Sequence, residues 1–166
     1  MMKRLFIDVE RCTGCRACEM ACSVYHERKF GTSLSRIKVL KLESIGIDAP
    51  VVCRLCKDAP CERQCPTAAI STSSVTGAKI VDSGSCIGCA QCVEACPFGA
   101  IALYPETEKA MVCDLCDGDP ECVRRCPVGV IFYEDPLAHG RRTAAAMTEA
   151  TSEPILRKWG IGGGMR

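Results

Sequence analysis

The fold of this chain is decided by residues 86–97, which read CIGCAQCVEACP. Four cysteines stand there in the spacing C-x2-C-x2-C-x3-C, and proline follows the last of them. Residues 12–22 repeat this spacing, while residues 53–65 and 113–126 repeat it with a longer loop between the second and third cysteine. The chain therefore carries four cysteine quartets, in the order short loop, long loop, short loop, long loop.

The quartets use all 16 cysteines of the 166-residue chain. They are Cys12, Cys15, Cys18 and Cys22; Cys53, Cys56, Cys61 and Cys65; Cys86, Cys89, Cys92 and Cys96; and Cys113, Cys116, Cys122 and Cys126. Three close cysteines and a fourth before proline are typical of 4Fe–4S binding, because three thiolates on a tight loop can cap three corners of a cubane. Structural zinc sites more often join two cysteine pairs across a longer spacer. The spacing therefore predicts four 4Fe–4S clusters.

The fourth cysteine of such a run generally ligates the other cluster of a pair. Strands predicted at residues 4–9 and 130–133 would pair and close an outer module, formed by quartets one and four, around an inner module formed by quartets two and three. The predicted ligand sets are Cys12, Cys15 and Cys18 with Cys126; Cys113, Cys116 and Cys122 with Cys22; Cys53, Cys56 and Cys61 with Cys96; and Cys86, Cys89 and Cys92 with Cys65. Four self-contained quartets are the alternative, which is weaker because one short run does not easily wrap a cubane.

We therefore expect an α+β fold of two ferredoxin-like modules, pseudo-duplicated, with short hairpins and short helices around the four clusters. The outer module would comprise residues 1–30 and 105–135, and the inner module residues 31–104 with a linker. Within the modules, hairpins are predicted at 69–82 and 101–112, and a half-buried strand at 37–42. Gly14 and Gly88, each before the second cysteine of a quartet, suit a left-handed or crowded backbone.

Residues 136–166 are expected to form an extended C-terminal arm. A short helix is predicted at 141–150, which Ser152, Glu153 and Pro154 would end. Ile155, Leu156 and Trp159 have no core of their own to join, so the end of the chain is either a partner-docking arm or a frayed terminus. The sequence does not favour one of these interpretations.

Composition excludes several classes of protein. No run approaches the ~18 apolar residues of a membrane helix, and acidic residues within positions 1–10 interrupt any secretory signal. The net charge of +1 gives no electrostatic case for nucleic-acid binding. Only 5% of the residues are aromatic, so metal ligation is expected to supply the stability that a thin core lacks. Because cytosolic thiols stay reduced, a cytoplasmic metal-binding protein is expected.

The sequence shows no catalytic residue, because it has no nucleotide-binding loop, no activated nucleophile and no pair of histidines. His26 and His139 stand in polar surroundings and are expected to be exposed. Arg54 and Lys57, beside the second quartet, either raise the potential of its cluster or simply face solvent, and the second role is the commoner one.

The order and spacing of the cysteines resemble the four-cluster electron-transfer subunits of molybdenum and tungsten oxidoreductases, and related subunits of hydrogenases and carbon monoxide dehydrogenases. The resemblance covers residues 4–135. The short loop 117–121, together with the stretch 113–120, is more similar to small subunits that accompany tungsten aldehyde oxidoreductases than to the dimethyl sulfoxide and nitrate reductase branch.

This resemblance implies a non-catalytic subunit that relays single electrons between a large catalytic redox subunit, of tungsten- or molybdenum-pterin type, and a further donor or acceptor such as a flavin subunit. A free-standing polyferredoxin carrier is an alternative, although such carriers tend to be strongly acidic. An electron-transfer subunit of a hydrogenase or carbon monoxide dehydrogenase is another. The identity of the partner, the direction of electron flow and end-to-end self-association stay open.

Overall fold

Short strands and short helices alternate along the chain. The computed structural model describes residues 2–158, and the side chains of residues 2–148. In chain order the elements are β1 (Arg4–Ile7), α1 (Ala17–Glu27), β2 (Lys38–Leu42), β3 (Ile47–Val51), α2 (Pro60–Arg63), β4 (Ile70–Thr72), β5 (Lys79–Val81), α3 (Gln91–Ala95), β6 (Ile101–Leu103), β7 (Ala110–Val112), α4 (Glu121–Arg124), β8 (Ile131–Glu134) and α5 (Pro136–Lys158). The chain is thus a small α+β protein.

The strands nearest the two ends of the cysteine-bearing region pair with each other. β1 runs antiparallel to β8, with Ile7 opposite Ile131 and Arg4 opposite Glu134. Both strands were predicted from the sequence, and their observed bounds differ by one or two residues from the prediction. The pairing brings the segments next to the first and fourth quartets together, although the rest of the chain lies between them.

Two hairpins follow the second and third quartets, as the turn residues predict. β4 pairs with β5, and β6 pairs with β7, both antiparallel. The inward ends of these strands are buried, with Ile70 and Ile101 at 3% and 5% exposure. Each hairpin therefore covers the loop of the quartet that precedes it with a short apolar face.

A third hairpin lies between the first and second quartets. β2 agrees with the predicted strand, but its partner β3 was not predicted. The start of the predicted strand is half-buried, since Ile37 and Val39 are buried and Leu40 is exposed, whereas its end is exposed on both faces. The hairpin is anchored to α1 by Glu19, whose buried Oε1 accepts a 2.9 Å hydrogen bond from the N–H of Val39.

The length of the helix in each quartet depends on which residue comes after the fourth cysteine. Proline follows Cys65, Cys96 and Cys126, and α2, α3 and α4 are single turns that end before those cysteines. Ser23 follows Cys22 instead, so α1 continues past Cys22 and reaches a total length of 11 residues. The first quartet therefore has a longer helix than the others.

Two hydrophobic clusters form the core. The first contains Leu5, Ile37, Val52, Leu115 and Ile131, which come from both ends of the chain and from the third hairpin. The second is built around the two hairpins β4–β5 and β6–β7. Cys53 packs against both clusters, so the two parts of the core meet at the second quartet.

The C-terminal segment differs from the prediction. The prediction of a short helix at 141–150 is wrong, because α5 runs continuously over Pro136–Lys158 and includes Ser152, Glu153 and Pro154. The first turns of α5 rest on the β1–β8 pair: the ring of His139 stacks on Phe6 with centroids 3.7 Å apart, and the guanidinium of Arg142 lies 3.9 Å from the centroid of Phe132. The side chains of Ile155, Leu156 and Trp159 lie outside the described residues.

Within residues 2–158, the structure offers no helix whose length and apolar character would allow it to cross a lipid bilayer.

Candidate metal centres

The loops of all four quartets share one left-handed backbone position. The residue before the second cysteine is left-handed in each, with φ of +61° at Gly14, +50° at Leu55, +73° at Gly88 and +64° at Leu115. Glycine takes this conformation without strain, which confirms the interpretation of Gly14 and Gly88. The long loops use leucine there, and both leucines are buried in the core, so packing holds a conformation that leucine disfavours.

One recess gathers four cysteines from two different quartets. Its lining includes Cys65, Cys86, Cys89 and Cys92. These are the fourth cysteine of the second quartet and the first three of the third. Among these four, the thiol of Cys86 accepts a 3.4 Å hydrogen bond from the N–H of Ala110 on β7.

A second recess gathers four cysteines from the first and fourth quartets. Its lining includes Cys22, Cys113, Cys116 and Cys122. Here the fourth cysteine of the first quartet, carried on α1, meets the first three of the fourth quartet. α1 and α4 pack against each other, and β1–β8 pairing holds their segments at the same place.

Several of the other eight cysteines also have cysteine neighbours. Burial raises the pKa of Cys53, and the nearby thiols of Cys61, Cys56 and Cys96 raise it further. In the first quartet, burial raises the pKa of Cys18 to about 12, with smaller contributions from Cys15 and Cys12. Cys12 and Cys126 both pack against the first hydrophobic cluster.

Backbone N–H groups point at the fourth cysteine of three quartets. Each Sγ accepts from the residue four positions later: Cys65 from Ala69 at 3.2 Å, Cys96 from Ala100 at 3.4 Å, and Cys126 from Val130 at 3.5 Å. The residue just before each donor has a left-handed backbone, at Ala68, Gly99 and Gly129. The turn after the Cys-Pro pair therefore aims an N–H group back at the sulfur, where it would stabilise a thiolate.

The first quartet obtains its hydrogen bond from elsewhere. α1 continues past Cys22, so the turn that follows the other three is missing. The N–H of Arg36, in the segment before β2, instead donates to Cys22 Sγ at 3.2 Å. Nothing in the sequence indicates this bond, because the two residues are far apart along the chain and Arg36 belongs to no repeat.

The buried thiols would carry protons unless a cation were beside them. Burial raises the pKa of Cys122 to about 12 and that of Cys116 to about 11, and it raises the pKa of Cys113 strongly. Iron is the cation that would convert them to thiolates and offset their charge. Four sulfurs around one recess, with N–H donors aimed at thiols, are a donor set that fits a 4Fe–4S cubane.

Two cysteines are exposed, and they occupy the same position in their quartets. Cys15 and Cys89 are each the second cysteine of a short-loop quartet, while Cys116, the equivalent cysteine of the fourth quartet, is buried. The recess around Cys22, Cys113, Cys116 and Cys122 is lined by four buried cysteines. Cys15 and Cys89 are thus the two cysteines most accessible from solvent.

The environment of His26 corrects the expectation that it is exposed. Its side chain is 8% exposed, and Nε2 lies 3.7 Å from Cys116 Sγ and 3.5 Å from Asp114 Oδ1. Burial lowers the pKa of His26, and the charge of Arg36 lowers it further. His139 is also not fully exposed, at 25% of its side chain, because it packs on Phe6.

Positive charge near the second quartet comes from a residue that the sequence analysis missed. Arg54 and Lys57 face solvent, in agreement with the commoner interpretation. Lys79 on β5 is 3% exposed and pairs with Glu62 at 3.3 Å. Burial raises the pKa of Cys61, and the ammonium of Lys79 offsets part of that rise. A lysine in a three-residue strand carries no sequence signal of burial, so it was not found.

Comparison with family models matches two parts of the chain. A model described as "4Fe-4S dicluster domain" matches residues 47–136, which hold the second to fourth quartets. A model described as "4Fe-4S binding domain" matches residues 3–24, which hold the first quartet.

Two curated relatives each match about 70% of the chain. The polyferredoxin-like subunit of an aliphatic sulfonate oxidoreductase from Pyrococcus furiosus is 43% identical over 69% of this chain and 65% of its own length. The electron transport protein HydN of Escherichia coli K12 is 36% identical over 70% of this chain and 77% of its own length. Among solved structures, a chain of the active site complex BamBC of benzoyl coenzyme A reductase aligns with a TM-score of 0.48, at 21% identity over 93% of this chain and 96% of that chain.

Proposed function

The chain belongs to the family of 4Fe-4S dicluster-domain proteins, and from this premise we propose that it holds four 4Fe–4S clusters and relays single electrons between a catalytic redox subunit and a further partner. The observation that carries the proposal is the pair of recesses in which four cysteines of two quartets meet. Electron transfer between clusters requires no side chain that acts as an acid or a base, so the proposal assigns no such role to any described residue.

The proposed ligand sets exchange the fourth cysteine within each pair of quartets. They are Cys86, Cys89, Cys92 and Cys65; Cys113, Cys116, Cys122 and Cys22; Cys53, Cys56, Cys61 and Cys96; and Cys12, Cys15, Cys18 and Cys126. The lining of the two recesses supports the first two sets. The thiols that raise the pKa of Cys53 support the third. The fourth takes the remaining cysteines, and its support is the packing of Cys12 and Cys126 on one hydrophobic cluster.

We propose the same modular division as the sequence analysis, with an outer module at residues 1–30 and 105–135 and an inner module at residues 31–104. Pairing of β1 with β8 supports the outer closure. The two hairpins that share one hydrophobic cluster support the inner module.

The exposed cysteines suggest where electrons enter and leave. Cys15 and Cys89 belong to different proposed clusters, one in each module. Cys53, which packs against both hydrophobic clusters, lies where the modules meet. We therefore place the clusters of Cys15 and Cys89 at the two ends of the electron path, with the clusters of Cys53 and Cys113 between them.

When bound, each cluster accepts and returns one electron, and this is the only redox chemistry that the proposal needs. The protein's own part is to supply thiolates, to aim N–H groups at them and to exclude water from the inner sites. Hydrogen bonds and burial set how readily each cluster is reduced. Catalysis is assigned to the partner subunit.

We further propose that the catalytic partner is a tungsten- or molybdenum-pterin oxidoreductase, with an aldehyde oxidoreductase as the first candidate. Support comes from the short loop 117–121 in the fourth quartet, where the resemblance to tungsten aldehyde oxidoreductase subunits is carried. The relative from Pyrococcus furiosus is itself named as a subunit of an oxidoreductase. A cytoplasmic location suits a chain whose 16 cysteines all act as reduced ligands.

Metal analysis of the anaerobically purified chain tests the cluster proposal. Four cubanes require about sixteen iron atoms and about sixteen acid-labile sulfides per chain. Zinc in place of iron, or clearly fewer than about twelve irons, would contradict it. Anaerobic affinity purification from the native cells tests the partner: a pterin-containing large subunit should copurify, and isolation of the loaded chain alone would favour a free carrier.

A further inference from the structure

The thiol of Cys116 has a neighbour that none of the quartets supplies. His26 Nε2 lies 3.7 Å from Cys116 Sγ, within reach of a hydrogen bond to sulfur, and only 8% of the side chain is exposed. His26 is four residues after Cys22 on α1, so both side chains lie on one face of the helix. One helix therefore delivers a cysteine and an imidazole to the same recess.

Asp114 and Arg36 hold the imidazole in place. Asp114 Oδ1 lies 3.5 Å from His26 Nε2 and accepts a 3.0 Å hydrogen bond from the N–H of Cys116. The other oxygen of Asp114 pairs with the guanidinium of Arg36. The backbone N–H of Arg36 in turn donates to Cys22 Sγ at 3.2 Å. The network therefore closes around two thiols of the recess.

No equivalent network surrounds the other recess in the part of the chain that the structure describes. The hydrogen bonds to the thiols of Cys65 and Cys86 come from backbone N–H groups and from the hydroxyl of Thr67. His139, the second histidine, contacts Phe6, Phe132, Glu134 and Arg142 instead. The imidazole at Cys116 thus distinguishes one recess from the other.

We propose that His26 raises the reduction potential of the cluster held by Cys22, Cys113, Cys116 and Cys122, by donating an N–H···S hydrogen bond to Cys116. This inference rests on the proposed four-cluster function. Reduction adds one electron from the donor partner and breaks no bond, so the added negative charge spreads over the cluster and its thiolates. A hydrogen bond to charged sulfur is stronger than one to a less charged sulfur, and it therefore stabilises the reduced state more. His26 is a positioning and tuning residue rather than a ligand.

The same network contains a group that should lower the reduction potential of this cluster. The carboxylate of Asp114 places negative charge beside Cys116 and is one of the causes that raise its pKa, after burial. Replacing Asp114 by asparagine removes that charge, keeps a side-chain oxygen for the N–H of Cys116, and leaves Arg36 without its partner. His26→Phe and Asp114→Asn should therefore shift the potential of one cluster in opposite directions.

The experiment is an anaerobic redox titration of the loaded full-length chain, followed by electron paramagnetic resonance. With His26→Phe, one cluster should show a roughly tenfold lower ratio of reduced to oxidised form at the wild-type midpoint, which equals about 59 mV for one electron. Asp114→Asn should raise the ratio for that same cluster. His26→Gln, which keeps an N–H donor, should recover part of the loss. His139→Phe is the matched control and should leave all four clusters unchanged.

The cluster concerned is identified as the one whose signal is altered by Cys116→Ser. If the wild-type chain shows four clusters and neither His26→Phe nor Asp114→Asn shifts that one, the inference is overturned while the proposed function stands. If the wild-type chain holds fewer than four clusters, the proposed function fails first. If His26→Phe loses iron, the test uses His26→Gln and Asp114→Asn instead. If neither of these variants shifts the reduction potential of that cluster, the inference is overturned.

Discussion

The Cα of Gly88 faces the carbonyl oxygen of Glu108 so closely that an added Cβ would lie 2.8 Å from it. Glu108 lies just before β7, in the turn of the hairpin that follows the third quartet, so the backbone of that hairpin rests directly on the cluster loop. The same position in the first quartet, Gly14, would place a Cβ 2.2 Å from Oδ2 of Asp48, which is the end of a flexible side chain. The two loops are alike in conformation but differ in what covers them.

Alanine at Gly14, Gly88 and Gly99 should separate the cost of a left-handed backbone from the cost of a steric clash at the new Cβ. Gly99 has a φ of +59° and open space around its Cα, so Gly99→Ala should cost only the left-handed strain, about 1–2 kcal/mol. Gly14→Ala should cost slightly more, because Asp48 must move. Gly88→Ala should cost most, because backbone must move. Thermal loss of cluster absorbance in the three variants measures the order, and equal losses would contradict the close approach at Gly88.

The crossed ligand sets predict which cysteine variants resemble each other. Cys22→Ser and Cys116→Ser should alter the same cluster signal, although the two residues belong to different quartets. Cys22→Ser and Cys15→Ser should alter different signals, although these residues are neighbours in sequence. Electron paramagnetic resonance of the reduced variants provides the comparison without any absolute assignment. A shared defect in Cys22→Ser and Cys15→Ser would instead indicate self-contained quartets.

Removal of iron should unfold the chain. Much of the buried surface consists of cysteine side chains, and both hydrophobic clusters include them. Without metal, those sulfurs lose their shared ligand, and ligation energy is folding energy in such sites. Circular dichroism during anaerobic chelation should show helix loss in step with cluster loss. A metal-free chain with a cooperative thermal transition would show that the apolar core suffices.

Truncation of α5 should have two stages. A chain ending at Thr148 keeps the contacts of His139 with Phe6 and of Arg142 with Phe132, so iron content and melting temperature should be unchanged. A chain ending at Asp135 loses both contacts, which should destabilise the β1–β8 pair by about 1–2 kcal/mol.

Association with the copurifying subunit, measured for both truncated chains, then reports on docking. If the chain ending at Thr148 binds its partner normally, residues 149–166 are not the docking segment. If the chain ending at Asp135 melts like the full chain, the packing of α5 on the sheet contributes nothing to stability.

The sequence predicted those features that depend on short spacing. Cysteine spacing, the turn residues of the two hairpins and Gly14 and Gly88 are all local, and each corresponds to an observed loop or turn. Strands β1 and β8 were also found, since a short apolar run flanks the first and the last quartet. Local pattern was sufficient because each quartet makes its own loop.

Features that depend on distant contacts were missed. The N–H of Arg36 reaches Cys22, Lys79 is buried beside Glu62, and His26 approaches Cys116, and none of these pairs is close in sequence. α5 is longer than predicted, because Ser152, Glu153 and Pro154 do not end the helix. β3 was missed because Pro50 stands within it, and proline is usually depleted in strands.

The pairing of β1 with β8 also has a consequence for the order of synthesis. Residues 4–7 leave the ribosome before any part of their partner strand exists, and at ~5–20 residues per second the wait is on the order of 10 seconds. If quartets one and four share ligands as we propose, Cys12, Cys15, Cys18 and Cys22 do not have their full ligand sets until the fourth quartet has also been made, whereas the second and third quartets emerge close together. On that proposal the inner module can take up its clusters while translation continues, and the outer module is completed only after β8 has left the ribosome.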